Sequence, residues 1–323
     1  MSAVKSKGVG TNPNWTTRFW AVVKYELLWN IRKKKFIGMI VVAFALATLS
    51  LGLPVILSNM IGLPLSQNPN YVVGSGAGIG GLGFFLFALV TVMNSISGEF
   101  ESGTIVPLLT KPVSRTMVFL GKLFAAFITL LSAYVVLFVY MAIGGTIVYG
   151  PQNNLYLVPL SLLGSIISAF VWVGIVLAIG SVSKSSLIAA IGAFGIFIAL
   201  SISAPIVSVF SDQAWILSYV PGTGVTGYIE GLGSQTPFTP GISVSTGTDS
   251  IAANLIDYVL HPSAEVTFFK ISGVRPGGSP SMIELYVEPL SIVLLRSMAV
   301  ASAYILAFLF ISWYALKRAQ VLE

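Results

Sequence analysis

Cysteine is absent from this chain of 323 residues, and histidine occurs once. The lack of cysteine excludes disulfide bonds and thiolate metal sites, and it leaves the redox compartment open. Charge is also scarce, because Asp, Glu, Lys and Arg make up 9% of the chain, whereas soluble globular proteins contain about 25%. So few charged side chains cannot cover the surface of a soluble protein of this length.

Apolar residues make up 55% of the chain, and the mean hydropathy is +0.91. A helix needs about 20 apolar residues to cross a bilayer. Six runs are long enough, at about 36–58, 77–97, 117–148, 157–182, 186–211 and 290–315. Barrel strands are shorter and alternate in polarity, whereas these runs are apolar on all sides. The sequence therefore predicts an all-α membrane protein with six transmembrane helices.

The basic residues predict the orientation of these helices. Of the 17 Lys and Arg residues, 14 lie before the first run, in 98–122, near Lys184 or after the last run. The short loops near 59–76 and 149–156 have none, and short loops are where the positive-inside rule is read. We therefore expect a multi-pass protein of the cell membrane with both termini in the cytoplasm. This asymmetry also accounts for the net charge of +6, so no nucleic-acid partner is needed.

The segment before the first run, within residues 1–35, has the pattern of an amphipathic helix. Trp20, Val23, Leu27 and Ile31 recur at spacings of three and four residues. Aromatic and basic residues in such a helix suit the membrane interface. We predict a cytoplasmic interfacial helix, with a helix that only packs on the bundle as the alternative.

The outer segment, 212–289, is too long for a plain loop. It contains the pattern of a short helix after Asp249 and of two strands on either side of residues 273–281. We predict a small extracellular α+β insertion between the helices of 36–211 and the last helix and tail, 290–323. It could bind an extracellular partner or cover an exit, and a passive lid fits equally well.

Catalytic and nucleotide-binding motifs are missing from the sequence. The stretch GSGAGIGGLG at 74–83 has the GxGxxG spacing, but it opens a membrane span instead of following a strand, so we do not interpret it as a dinucleotide site. No GxxxxGK[ST], HExxH or GxSxG sequence occurs, and His261 is the only histidine. We expect no enzyme activity, cofactor or metal on this chain.

The most informative segment is 98–122, GEFESGTIVPLLTKPVSRTMVFLGK, which lies between two apolar runs. Pro107 and Pro112 exclude one continuous helix, so the second span must end, turn through a short helical piece around 102–109 and re-enter the membrane near Thr116. We predict a cytoplasmic docking helix within 98–116. A plain loop between spans is the alternative.

The order of residues here resembles the permease subunits of type-2 ATP-binding cassette (ABC) transporters. In that family, the second span is followed by an acidic residue, a Gly-Thr step, a Leu-Leu pair, Pro-Val-Ser-Arg and Gly-Lys. The matching residues here are Glu99, Gly103, Thr104, Leu108, Leu109, Pro112, Val113, Ser114, Arg115, Gly121 and Lys122. The resemblance covers most of the chain in layout and about 25 residues in motif. The long outer segment departs from the compact family pattern.

The resemblance implies a permease that works as a dimer with a second copy or a homologue, coupled to separate ATPase subunits that carry ATP and Mg. The segment 98–116 would be the coupling helix, with Glu99 and Glu101 pairing with basic residues of the ATPase. Leu108 and Leu109 would fill an apolar depression there, and export is the expected direction.

Four residues in or near the spans are candidates for a substrate pathway: Arg296, Asn94, Tyr134 and Tyr140. Packing between spans explains the last three equally well. Arg296 is the one charge predicted inside a span, and its alternatives are to snorkel outward or to pair with Glu288 or Glu284.

Two other functions remain open from sequence. A membrane-assembly factor of this architecture would transmit ATPase motion to an extracellular protein without moving a solute. An intramembrane enzyme is disfavoured because the sequence offers no catalytic constellation.

Overall fold

The computed structural model describes residues 14–32, 34–62, 70–74, 80–104, 113–210, 213–232, 241–274 and 280–319. The helices are α1 (Trp15–Arg32), α2 (Lys35–Ile61), α3 (Tyr71–Gly74), α4 (Gly80–Val92), α5 (Ser97–Glu101), α6 (Arg115–Tyr149), α7 (Val158–Ser183), α8 (Ser186–Phe210), α9 (Ile251–Leu260) and α10 (Leu290–Arg318). The strands are β1 (Thr226–Glu230), β2 (Gly241–Ser245), β3 (Glu265–Val274) and β4 (Pro280–Pro289).

In the described part of the chain, six helical stretches are long and apolar enough to cross a membrane, which confirms the prediction. They are Ile37–Ile61, Gly80–Glu101, Arg115–Tyr149, Leu155–Ser183, Ser186–Ser208 and Leu290–Arg318. Each lies within a few residues of its predicted limits, because the length of an apolar run is set by the thickness of the bilayer. The second stretch combines α4, a turn and α5.

Helix α7 is the most buried span and the centre of the bundle. Small residues along it allow its neighbours to approach closely. A Cβ at Gly164 would lie 2.5 Å from the Cα of Ala252 in α9, and one at Gly174 would lie 3.2 Å from the Cβ of Phe308 in α10. The indole of Trp172, 1% exposed, packs edge-on against the ring of Phe85 in α4.

Helix α1 packs along the first part of α6 through one of its sides. Val22, Val23 and Glu26 are buried, whereas Trp20 is 54% exposed and Ile31 is 58% exposed. Gly121 of α6 has no side chain and allows Val22 to approach closely. The contact of the exposed residues with the membrane interface stays a prediction.

The insertion contains a four-stranded antiparallel sheet in the order β2-β1-β3-β4 and the helix α9. The helix and the β3-β4 hairpin confirm the sequence prediction. The strands β1 and β2 were missed, since each is only five residues long and each contains glycine. Val244, Val266 and Phe268 form the core of this sheet and pack towards Leu290 and Val293 at the start of α10.

The bundle has two chemically different ends. The end that we call the basic end carries α1, α5, the first turn of α6, the first turn of α8 and the last turn of α10. The opposite end, which we call the insertion end, carries α3, the sheet and α9. At this end α3 is tied to the loop after α6 by a hydrogen bond of 3.0 Å from Val72 N to Gln152 Oε1.

Candidate functional site

Three charged residues from three elements meet at the basic end. Lys122 Nζ of α6 lies 2.5 Å from Glu26 Oε1 of α1 and 3.1 Å from Glu99 Oε1 of α5. The side chains of Lys122 and Glu26 are 5% and 8% exposed, and that of Glu99 is 17% exposed. Burial removes each charge from water, so each is stable there only with its partners. We call these residues the Lys122 cluster.

Glu99 is also bonded within its own segment. Its second carboxylate oxygen accepts a hydrogen bond from Thr104 Oγ1, and Ser102 Oγ donates to Gly98 O at 2.6 Å. Gly103, with φ of 67°, turns the chain after α5 in the left-handed region that favours glycine. The turn after the second span is thereby folded back onto Glu99.

Glu101 caps the fifth span. Its carboxylate accepts hydrogen bonds from Ser186 N at 2.7 Å, from Ser186 Oγ at 2.5 Å and from Ser185 Oγ at 3.0 Å. These contacts give hydrogen-bond acceptors to the N–H and O–H donors at the start of α8. They also place a negative charge at the positive end of the helix dipole. Glu101 remains exposed.

Arg115 joins the start of the third span to the end of the sixth. Its Nη1 donates to the carbonyl oxygens of Leu316, Lys317 and Ala319 at 3.1, 3.0 and 2.6 Å. Arg115 lies in the first turn of α6, after the N-cap Ser114. The last residues of the predicted 98–116 helix therefore belong to the span itself.

Residues at and beside the predicted coupling segment thus link α5 and α6 to three other helices, α1, α8 and α10. Glu99 and Lys122 link α5 to α1 and α6, Glu101 holds α8, and Arg115 holds α10. Leu108, Leu109 and Pro112 lie outside the described residues, as does most of the predicted 102–109 helix. The apolar contact with an ATPase stays a prediction.

The four pathway candidates lie at different depths. Asn94 is in the turn before α5 at the basic end, whereas Nη1 and Nη2 of Arg296 donate to Glu288 near the insertion end, at 3.1 and 2.7 Å. Arg296 thus takes one of its expected alternatives. Tyr134 is fully buried and stacks on Phe87. Tyr140 is bonded through its hydroxyl to Thr48 at 2.8 Å.

Sequence reasoning missed Glu26, although a signal was present. Glu26 is the only acidic residue before Glu99, and it lies on the same side of α1 as the buried residues Val22 and Val23. A single carboxylate on the packed side of an interfacial helix requires a cation in the bundle. Lys122 is that cation.

The described residues contain no group of three or more His, Asp or Glu side chains placed to hold a metal ion. All three charges of the Lys122 cluster form ion pairs. The cluster therefore holds α1, α5 and α6 in fixed positions relative to one another.

A family model described as "ABC-2 family transporter protein" matches residues 20–321, from the interfacial helix to the end of the last span. Comparison with curated proteins gave no match for the chain.

Proposed function

Because the chain belongs to the ABC-2 family of transporter proteins, we propose that it is a permease subunit that pairs with a second copy or a homologue and is driven by separate ATPase subunits. ATP and Mg are held by those partners, and this chain supplies the pathway. The basic end faces the cytoplasm and the ATPases, and export is the direction of transport.

The observation that carries this proposal is the set of bonds made by residues 99–122, where the second span ends and the third begins. Glu101 reaches the start of α8, Arg115 reaches the end of α10, and Lys122 reaches α1. A partner that displaces this segment moves the ends of several helices at once. Packed helices pass such shifts on because their interfaces switch between discrete arrangements instead of deforming gradually.

The cytoplasmic placement of the basic end is supported by charge. The excess of Lys and Arg at that end favours the side with anionic lipids. The docking residues then lie on the side where ATP is available.

The test of coupling is recovery of the ATPase subunit with the affinity-purified chain. We expect Leu108→Asp to abolish recovery, because it removes an apolar anchor and buries an unpaired carboxylate. Leu155→Asp is the matched control, since it makes the same change at an exposed residue of the insertion end. Equal recovery with both variants would contradict the docking proposal.

Transport and its direction are tested in cells that lack the chain. We expect at least one small molecule to accumulate inside such cells and to return to its ordinary level when the chain and its ATPase are expressed. Depletion of the molecule instead of accumulation would contradict export.

A second candidate function, transmission of motion to an extracellular partner, is favoured by the firm seating of the insertion. Ser168 Oγ of α7 donates to Thr248 O at 2.7 Å, and Ser297 Oγ of α10 donates to Thr246 O at 2.9 Å. These bonds would carry helix movements into the sheet. Unchanged levels of intracellular molecules in the same experiment would favour this function over transport.

A further inference from the structure

Asp249 occupies an unusual position at the insertion end. It lies in the short turn Thr248–Ser250, and Ser250 occupies the N-cap position of α9. The carboxylate of Asp249 points towards the span bundle. Its Oδ2 lies so close to Gly81 of α4 that any Cβ at that glycine would overlap it. A carboxylate packed against an apolar helix is a candidate for function.

One oxygen of the Asp249 carboxylate, Oδ1, is buried and lies beyond hydrogen-bond distance of any described donor, and the nearby Trp172 Nε1 and Tyr134 Oη are likewise buried without a hydrogen-bond partner among the described residues. An ionised carboxylate in this position is disfavoured. Burial raises the pKa of Asp249 from its ordinary value of 3.8 to about 7, and the polar N–H edge of the neighbouring Trp172 side chain opposes only part of that rise.

Among the described residues, the elements packed around Asp249 provide no cation to balance it. The described helices α4 and α7 contain no titratable residue. Those of the other packed elements are Tyr134 on α6, Tyr219 before β1, Asp257 and Tyr258 on α9, and Arg296 and Tyr304 on the part of α10 near the insertion. Arg296 is bound to Glu288 through both terminal nitrogens. Tyr304 donates to the carbonyl oxygen of Tyr219 at 2.9 Å.

The contacts beside Asp249 are neutral hydrogen bonds that hold the insertion on the spans. Thr248 O accepts from Ser168 Oγ, and Thr248 Oγ1 accepts from Gly222 N at 2.9 Å. These bonds do not change between about pH 4 and pH 9, because none of their groups titrates there. Asp249 is the member of this contact that gains or loses a charge.

We propose that Asp249 is a proton-binding site that seats the insertion on the span bundle when it is protonated and loosens that seat when it is ionised. The proton adds an O–H donor to the carboxyl group and removes the buried charge. The proposal does not depend on the identity of a substrate or on the presence of an ATPase.

The direction of the pH dependence follows from proton linkage. The seated state binds the proton more tightly than the released state, whose carboxyl group is in water. Seating is therefore strongest below the ordinary pKa of 3.8, weakens as the pH rises, and stops changing above about 7. The seating equilibrium changes by at most about tenfold per pH unit within that window.

The absence of cysteine makes a single-thiol experiment clean. Ile251 is fully buried beside Asp249 in the bundle core, so the thiol of Ile251→Cys reacts with a soluble maleimide only when the seat opens. The reference is Ser243→Cys, an exposed position of β2 in the same insertion. Dividing the reaction rate of the thiol at 251 by that of the thiol at 243 removes the intrinsic pH dependence of the thiol reaction. The measurement uses the full chain in detergent micelles.

We expect the ratio of rates to rise at least about tenfold between pH 5 and pH 7 and to level off above that. Asp249→Asn, which carries no charge at any pH, should keep the ratio low and remove most of the rise. Glu230→Gln is the matched control, because it neutralises a carboxyl group of the same insertion at an exposed position of β1. It should leave the rise intact.

A flat ratio in the chain with Asp249 would overturn the proposal, and so would a rise that survives Asp249→Asn undiminished or disappears in Glu230→Gln. If Asp249→Asn does not fold, amide hydrogen exchange of α9 in the unaltered chain decides the question. Its protection, corrected for intrinsic exchange, should fall over the same pH window, and constant protection would contradict the proposal.

Discussion

Lys122 of the third span and Glu26 of the interfacial helix form an ion pair of 2.5 Å, although the sequence separates them by 96 residues. The pair fixes α1 against α6 at the basic end, and Glu99 joins it from the end of the second span. The interfacial helix is thus bound to the bundle by charge as well as by Val22 and Val23.

Removal of the cation from this cluster should be costly. Lys122→Met leaves two carboxylates close together in a buried site, so we expect a loss of about 3 to 5 kcal/mol in the free energy of unfolding. Glu26→Gln should cost less, because Lys122 keeps Glu99. Thermal unfolding in detergent micelles measures both.

The control for this prediction is Lys24→Met on the exposed side of α1. It makes the same chemical change without a buried partner and should alter the unfolding temperature little. If Lys122→Met proves as mild as Lys24→Met, the cluster does not stabilise the basic end.

The seat of α9 on α7 depends on one glycine. A Cβ at Gly164 would lie 2.5 Å from Ala252 Cα and 2.8 Å from Ala252 N. Because the opposing atoms are backbone, Gly164→Ala must push the two helices apart, which should cost about 1 to 3 kcal/mol in stability. The reaction of Ile251→Cys with maleimide should accelerate at the same time.

Gly195→Ala is the matched control for Gly164. A Cβ at Gly195 of α8 would meet no atom within 4 Å, so this change should be neutral or slightly stabilising through helix propensity. Equal unfolding temperatures for the two variants would show that the insertion adapts to a wider spacing.

The distribution of Lys and Arg predicts the sidedness of the protein. In intact cells, an impermeant maleimide should label Ser243→Cys in the insertion and should not label Ser114→Cys at the basic end. Both positions are exposed in the fold, so the membrane itself must make the difference. Permeabilised cells should label both, and labelling of Ser114→Cys without permeabilisation would reverse the orientation.

The sequence predicted the spans well because lipid leaves few alternatives for a long apolar run. It did not predict which polar residues meet, since those contacts join distant positions. Glu101 and Ser186 are 85 residues apart, and Arg115 and Ala319 are 204 apart. A charged side chain can pair with another protein or with a distant part of its own chain, and the sequence does not distinguish the two. The charges of 98–122 were therefore identified as important, but their partners were not.

Asp249 illustrates the same limit at the insertion end. The sequence predicted a short helix after Asp249, but it did not indicate where the carboxylate lies. Its burial against Gly81 depends on the packing of the insertion on α4 and α7, which local pattern does not encode. The strands β1 and β2 were missed for a related reason. Their own sequences favour a strand only weakly, and they are stabilised by pairing of β1 with β2 and with β3.

The contact between Glu101 and Ser186 gives the most direct test of how movement enters the bundle. If the ATPase displaces the segment after the second span, Glu101 is the residue that passes this movement to the start of α8. The substitution Ser208→Cys places a thiol near the insertion end of α8. A change in the reactivity of this thiol shows that α8 has moved. In the complex with the ATPase, its rate of reaction with a soluble maleimide should differ between the ATP-bound and ATP-free states.

Glu101→Gln should remove that difference while the chain still folds, binds the ATPase and permits ATP hydrolysis. The amide keeps an acceptor but loses the charge at the helix end, so the connection to α8 is weakened while the fold is retained. Glu230→Gln, the same substitution at an exposed residue of β1, should leave the response of Ser208→Cys unchanged. If Glu101→Gln responds to ATP as the unaltered chain does, the cap on α8 serves stability alone, and movement must enter through Arg115 or Lys122 instead.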